Sequence, residues 1–143
     1  NLEMSLNSNR TGELWRSFMP RRKEIAGNIN SELISMQVYD EPVRPGDLNQ
    51  KFRKWAAVEV KDFSIVPGGM ETFLLTGGLY AVFHYKGSGT ATKIFEYIFG
   101  EWLPASNYEL DNRPHFEILG EKYKNADPES EEEICIPVKA VKL

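Results

Sequence analysis

The chain of 143 residues is 41% hydrophobic and 27% charged, a size and balance that suit one compact domain with a single core. Its 17 basic and 21 acidic residues give a net charge of −4, which disfavours direct nucleic-acid binding because phosphate backbones attract a concentrated basic face. One cysteine excludes an internal disulfide and fits a reducing cytoplasm. No apolar run reaches the ~20 residues of a membrane-spanning helix, so we expect no membrane contact.

The first half of the chain predicts a strand, a helix and two more strands. Apolar and polar residues alternate over residues 2–6, as in a strand with one buried face. Apolar side chains then recur at helical spacing, and Pro20 bends or ends that helix. The apolar residues of this helix are Leu14, Trp15, Phe18 and Met19. Further strands are predicted at residues 33–40 and near residues 52–61.

The second half repeats that order after a Pro-Gly-Gly turn at residues 67–69. A strand is predicted over residues 77–87, with Leu79, Ala81, Phe83 and Tyr85 on one face. Beyond a turn at Gly87-Ser88-Gly89, an apolar stripe at helical spacing runs to Trp102, just before Pro104. A polar loop at 105–114, a short strand at Phe116 and Ile118 and a last strand at 132–141 complete the chain.

The order strand, helix, strand, strand therefore occurs twice. We expect an α+β fold of duplicated βαββ units, in which an antiparallel sheet carries two main helices on one face. The halves, about residues 1–67 and 68–143, are too small to bury a core alone, so residues 1–143 are predicted to form one domain.

One face of each predicted strand is aliphatic and the other mixes rings with polar groups. The aliphatic faces are expected under the helices, which leaves the mixed faces to form a cleft on the far side of the sheet. The mixed faces carry Tyr39, Trp55, Glu59, Tyr80, His84, Glu131, Glu133 and Cys135. Rings around a carboxylate suit an apolar or cationic small molecule.

Glu133 is the acid that the sequence favours, because it lies beside the apolar Ile-Cys-Ile run of the last strand and would be partly desolvated. Glu131 and Glu132 remain alternatives, and Glu117 has a weaker claim. A Cys135 nucleophile paired with His84 or His115 is less favoured than a small apolar filler. The residues at 84, 115 and 135 lack metal-ligand spacing, so we expect neither a metal nor a cofactor.

Five stretches of the sequence form a pattern in the same order as in a known family. They are LWRSFMP at 14–20, GLYAVF at 78–83, WLP at 102–104, RPHFE at 113–117 and EICIPV at 133–138. Together they resemble the GyrI-like, or AraC-type effector-binding, domain family. The resemblance implies a pseudo-twofold axis, a central ligand cleft and an acid on the last strand at Glu133. It further implies cleft aromatics at Trp15, Trp55, Tyr80 and Trp102.

The leading functional hypothesis is a stand-alone, cytoplasmic small-molecule-binding domain, linked to transcription regulation or toxin resistance. Its ligand-binding residues would be Trp15, Tyr39, Trp55, Tyr80, Trp102 and Glu133. No DNA-binding motif is visible in the sequence, so a role in transcription would need another chain. The alternatives are a hydrolase of small electrophiles, with Glu133 as general base and Tyr80 as a proton donor, and an adaptor that holds a protein partner on the same face.

Overall fold

A computed structural model describes residues 1–88 and 92–141 of the chain. Within these ranges seven strands form the sheet. Their bounds are β1 (Leu2–Met4), β2 (Leu33–Val38), β3 (Phe52–Ala57), β4 (Tyr80–Lys86), β5 (Tyr108–Leu110), β6 (His115–Leu119) and β7 (Glu131–Ala140). The predicted turn at Gly89 and the last two residues of the predicted domain lie outside the described residues.

Two helical segments in the described part of the chain accompany the sheet. The first is helix α1 (Thr11–Phe18), which continues as a 3₁₀ helix over Met19–Glu24. The second comprises α2 (Lys93–Tyr97), a π-helical turn (Ile98–Trp102) and α3 (Leu103–Ala105) without a break. Proline donates no backbone hydrogen bond, and this second segment ends one residue after Pro104, close to the predicted end.

The sheet is antiparallel, and its strand order is β1-β3-β2-β6-β7-β4, with β5 pairing to β7. The predicted α+β class is therefore confirmed. With β5 set aside, each half of the chain contributes its strands in the order first, third, second from the edge of the sheet inward, and β2 and β6 meet in the middle. That the two halves are a duplicated, pseudo-symmetric unit stays a prediction.

The two faces of the sheet differ in what covers them. Residues paired across antiparallel strands share a face, and alternate residues of one strand point to opposite faces. Ile134, Ile136 and Val138 pack with Ile98 of the second helical segment and define what we call the helix face. On the other half of the sheet, Oγ1 of Thr11 at the start of α1 lies 3.5 Å from Sδ of Met4. The opposite side of the sheet is the outer face.

Three predicted elements differ from the structure. The predicted third strand ends at Ala57 rather than residue 61, and β4 begins at Tyr80 rather than residue 77. The segment between them turns across the outer face, where the Phe73 ring packs edge-on against Trp55 at 5.3 Å. The predicted polar loop 105–114 contains β5, which forms because Leu110 pairs with Val138 of the last strand. No helix among the described residues is long and apolar enough to cross a membrane.

Candidate functional site

A row of polar side chains crosses the helix face between the two helical segments. We call Lys54, Gln37, Glu117 and Glu132 the polar row. The strand register places them: Gln37 is paired with Lys54 on one side and with His115 on the other. Glu117 is paired with Ile134, whose side chain shares a face with Glu132 two residues earlier. The row therefore links β3, β2, β6 and β7 on the side that the helices cover.

Lys54 forms one end of the row. Its residue is 7% exposed, and Nζ donates a hydrogen bond to Oε1 of Gln37 at 3.0 Å. Gln37 in turn donates from Nε2 to the Tyr39 hydroxyl at 2.7 Å. Burial lowers the pKa of Lys54, while the negative charges of Glu117 and Glu132 act in the opposite direction. No carboxylate within residues 1–88 or 92–141 forms an ion pair with this ammonium.

Glu132 forms the other end. It is 6% exposed, and its Oε2 has no hydrogen-bond partner in the described part of the chain. Burial, then the charge and hydrogen bonding of Glu117, raise the pKa of Glu132 to about 8, against an opposing effect of Lys54. Burial and these two carboxyl groups also raise the pKa of Tyr123. At neutral pH Glu132 is therefore mostly a protonated acid in a site with little water.

Aromatic rings lie beside the row. The Tyr39 ring is 5.4 Å from Phe52 and 5.4 Å from the imidazole of His115, which lies 6.3 Å from Phe99 in the π-helical turn. His115 is 7% exposed, its Nε2 has no partner among the described atoms, and burial lowers its pKa to about 4. These four rings, Tyr39, Phe52, Phe99 and His115, reach across the helix face, and the imidazole among them is neutral.

The residues predicted to bind ligand are divided between the two faces. Tyr39 lies on the helix face, as its contacts with Phe52 and His115 show. Trp15 belongs to α1 and meets the Phe18 ring edge-on at 5.8 Å. Trp102 belongs to the second helical segment, and its ring lies 5.0 Å from that of Phe83. The sheet register places Trp55, Tyr80 and Glu133 on the outer face.

The expectation that Glu133 is desolvated is wrong. The side chain is exposed on the outer face, where the register pairs it with His84 and Ile118. Glu133 lies on the face away from the helices, as the sequence predicted, but its side chain is open to solvent there and is not enclosed in a cleft. In the first half, the aliphatic residues of β2, Ile34, Met36 and Val38, point to the outer face, and this places Tyr39 on the helix face instead. The structure buries Glu132, one of the two alternatives left open by the sequence.

The hydrolase alternative has no support in the geometry. The Tyr80 hydroxyl donates to the carbonyl oxygen of Pro114 at 3.1 Å, and the Arg113 guanidinium lies 4.6 Å from the centre of the Tyr80 ring. Burial, with the charges of Glu133 and Glu117, raises the pKa of the Cys135 thiol to about 11, which leaves it unreactive. The described residues contain no group of three His, Cys, Asp or Glu side chains that could hold a metal ion.

Sequence reasoning missed four members of the site: Lys54, Gln37, Phe52 and Phe99. A signal for Lys54 was present, since it shares a strand face with Phe52 and Ala56 and is the charged member of an otherwise inward-facing set. His115 and Glu117 were considered only as a base and a weaker acid. Nothing in the sequence paired Lys54 with the carboxyl groups, because the contact depends on three strand pairings.

A surface pocket of about 610 Å³ lies at the same end of the sheet as the rings. Its lining includes Pro42 and Val43, just beyond Tyr39, and Leu103 and Pro104, one helical turn beyond Phe99. The polar row is not part of the lining. The pocket therefore adjoins the rings from outside and leaves the acid covered.

Comparison with known proteins gives two matches. Residues 1–138 match the Cass2 family, described as integron-associated effector binding protein, and the GyrI-like resemblance is confirmed. The chain is also 32% identical over 131 residues to the transcriptional regulator BrlR of Pseudomonas aeruginosa (strain PAO1). This match covers 89% of the chain and 46% of the regulator, so the chain spans about half the length of that relative.

Proposed function

Because the chain belongs to the Cass2 family of integron-associated effector-binding proteins, we propose that it binds an aromatic, singly cationic small molecule between its two helical segments. The observation that carries the proposal is the buried Glu132 carboxyl group, whose Oε2 has no partner in the described structure. A buried polar atom without a partner costs free energy, and in a native protein it calls for a ligand or another explanation.

Rings would supply most of the affinity. Tyr39, Phe99 and His115 lie beside the polar row, and apolar contact contributes roughly 25 cal/mol per Å² before the costs of binding are subtracted. A flat cation also gains from the faces of such rings. The pocket beside Leu103 and Val43 would serve as the mouth, with the ligand parting the rings as it enters. Trp15 and Trp102, on the two helical segments, would form the side walls.

Glu132 would supply selection in place of the predicted Glu133. An ionised carboxylate attracts a cation more strongly in a site with little water than in bulk water, because the lower dielectric constant screens the two charges less. A π-helical turn carries Phe99 at this point, and such turns are rare and often found at functional sites. The Glu132 carboxyl group and the π-helical turn are both on the helix face, whereas Trp55, Tyr80 and Glu133 are on the outer face.

The proposal is tested by titrating the protein with ethidium, an aromatic monocation, and with the neutral dye N-phenyl-1-naphthylamine. Glu132→Gln keeps the shape and removes the charge, so we expect ethidium to bind at least about tenfold more weakly and the neutral dye to change less than about twofold. Glu133→Gln is the matched control, and it should change neither the affinity for ethidium nor that for the neutral dye. Equal loss for both dyes refutes the role of Glu132 as a counter-charge, and loss in Glu133→Gln alone moves the site to the outer face.

The wider role is also part of this proposal. The regulator BrlR extends well beyond the matched region, so a domain of this kind can report a bound effector to the rest of a longer protein or to a partner chain. We propose a cytoplasmic, effector-sensing function for this chain, built from two βαββ units around the cleft. The equal strand order of the two halves supports the duplication.

A further inference from the structure

We propose that Lys54 sets the charge that the cleft accepts: it balances one of the two carboxyl groups of the polar row, so that the cleft takes up one positive charge in exchange for one proton. This inference rests on the proposed function, because it concerns the same cleft. It adds a specificity-determining residue, a charge limit on the ligand and a proton that leaves when the ligand binds.

The arrangement of the polar row supports this role. Glu117 of β6 and Glu132 of β7 lie diagonally to each other on the same face of two paired strands, and Lys54 lies on that face of β3, with β2 between them. The ammonium of Lys54 donates a hydrogen bond to the amide oxygen of Gln37. No carboxylate among the described residues forms an ion pair with this ammonium. The ammonium and the two acids therefore act on each other across the middle of the sheet, which leaves the unpartnered Oε2 of Glu132 for a ligand.

The charges can be counted in both states. Without ligand, the proposal assigns +1 to Lys54 and one shared proton, hence a net charge of −1, to the carboxyl pair of Glu117 and Glu132, so the row is neutral. A monocation that binds at Glu132 requires its carboxylate, and the O–H proton leaves to solvent. The row and the ligand then carry two positive and two negative charges. The site is balanced in both states, as a buried site must be.

The other titratable groups that face Glu132 do not change this count. From β4, Tyr85 is paired with Glu132, and its hydroxyl donates to the carbonyl oxygen of Ser88 at 3.4 Å. Burial raises the pKa of Tyr123 and of Tyr39, so both stay neutral near pH 7. Burial lowers the pKa of His115 to about 4, so the imidazole is uncharged as well. The proposal therefore assigns the exchanged proton to the carboxyl pair of Glu117 and Glu132, with Lys54 as the counter-charge of that pair.

The charges do not balance when the ligand carries two positive charges. Its second charge has no second proton to replace, because Lys54 already balances Glu117. The cleft would have to bury an excess positive charge or expel the lysine proton against the attraction of two carboxylates. We therefore expect dications to be excluded while Lys54 is present and admitted when it is absent.

Proton exchange is tested by measuring ethidium affinity from pH 5.5 to 9 and by calorimetry in two buffers of different ionisation enthalpy. One released proton should weaken binding about tenfold for each pH unit below the pKa of Glu132, and affinity should level off near pH 8. The calorimetric experiment should give about one proton released at pH 7. In Glu132→Gln, both the pH dependence of ethidium affinity and the release of a proton should disappear. Pronounced ethidium binding with no proton released overturns the inference and leaves the proposed function intact.

The charge limit is tested with propidium, which carries the ethidium ring system and a second fixed positive charge. The readout is the ratio of propidium to ethidium affinity, so that the bulk of the added chain cancels between variants. We expect Lys54→Met to raise this ratio at least about tenfold. Lys51→Met is the matched control, because Lys51 is an exposed lysine immediately before β3, and it should leave the ratio unchanged.

Folding is checked in the same experiment. Thermal melting of each variant shows whether it is native, and Lys54→Gln, which keeps a polar group beside Gln37, provides a second uncharged variant. An unchanged ratio in two folded Lys54 variants overturns the inference. Failure of the wild-type protein to bind ethidium, propidium or the neutral dye at any pH overturns the proposed function itself.

Discussion

The two ends of the helix face are built from opposite kinds of residue. At the end formed by β4 and β7, Ile134, Ile136 and Val138 close over Ile98 in an apolar core. At the end formed by β2 and β3, the inward residues include Ser35, Gln37 and Lys54, which are polar and buried or half-buried. Glu117 and Glu132 lie where the two ends meet. The second half of the chain therefore supplies the apolar cluster under the second helical segment, and the first half supplies a more polar floor.

The polar end of the helix face is expected to stabilise the fold less than the apolar end. Buried polar groups stabilise a fold less than apolar groups of the same size, and a buried charge without a close partner destabilises it. Proteins retain such groups where specificity or binding requires them. The contrast between the two ends can be tested by substitutions whose effects should differ in size and in sign.

The largest effect is expected at the apolar end. Ile136 is 2% exposed, and Ile136→Ala should lower the free energy of unfolding by about 2–5 kcal/mol, since it removes buried methyl groups and leaves a cavity. Urea denaturation measures the change. Val82→Ala on the outer face, where Val82 is 57% exposed, is the control and should cost less than about 0.5 kcal/mol. Similar losses at both positions would show that the core does not lie under the second helical segment.

The next effect concerns pH and Glu132. Burial raises the pKa of Glu132 to about 8, above its value in the unfolded chain, so the folded state binds more protons and stability falls as pH rises from about 4.5 to about 8. His115 acts in the opposite sense, but only between about 4 and 6.5, because burial keeps it neutral there.

Glu132→Gln should remove this dependence. Between about pH 6.5 and 8 the wild-type protein should lose about 2 kcal/mol relative to the variant, since one pKa unit corresponds to about 1.4 kcal/mol. Urea denaturation of both proteins at several pH values measures the difference. A wild-type slope that persists in the variant would mean that Glu132 is not the group that titrates.

The smallest effect is expected at the polar end. The desolvation of Lys54 opposes its attraction to the two acids, so the two effects largely cancel and Lys54→Met should change the free energy of unfolding by less than about 1 kcal/mol at pH 7. Lys51→Met is the control, because Lys51 forms an exposed ion pair with Glu3 at 3.6 Å and should leave stability unchanged. If Lys54→Met lowers the free energy of unfolding by more than about 2 kcal/mol, the lysine stabilises the fold, and the polar end is not the less stabilising part of the helix face.

Much of the fold was predictable from local patterns. Alternation identified every long strand, and helical spacing identified both helical segments, because each signal depends on residues close together in the chain. The same alternation correctly placed Ile134, Ile136 and Val138 on one face and Glu133 with Cys135 on the other. The short strand β5 was not predicted, since three residues carry too little pattern to reveal a pairing with β7.

The candidate site was predicted less well, for a physical reason. Alternation defines two faces of a strand, but it does not say which of them a helix will cover. Trp55, Tyr80 and Glu133 lie on the face away from the helices, as expected, but Glu133 is exposed there. The aliphatic face of β2 lies outward, so Gln37 and Tyr39 lie on the helix face, where the sequence did not place them. Of the rings predicted to bind ligand, Tyr39 lies beside the polar row, whereas its neighbours Phe52 and Phe99 were not predicted.

The sequence by itself determined the strands, the helices, the family and the presence of acids in the last strand. Only the tertiary structure decided that Lys54, Gln37, Glu117 and Glu132 lie in one row, because four strands from distant parts of the chain must pair in register to bring them together. Burial of Glu132 and exposure of Glu133 follow from that pairing and from the helices above it. A one-residue difference in position thus separates a buried acid from an exposed one, since neighbouring side chains of a strand point to opposite faces.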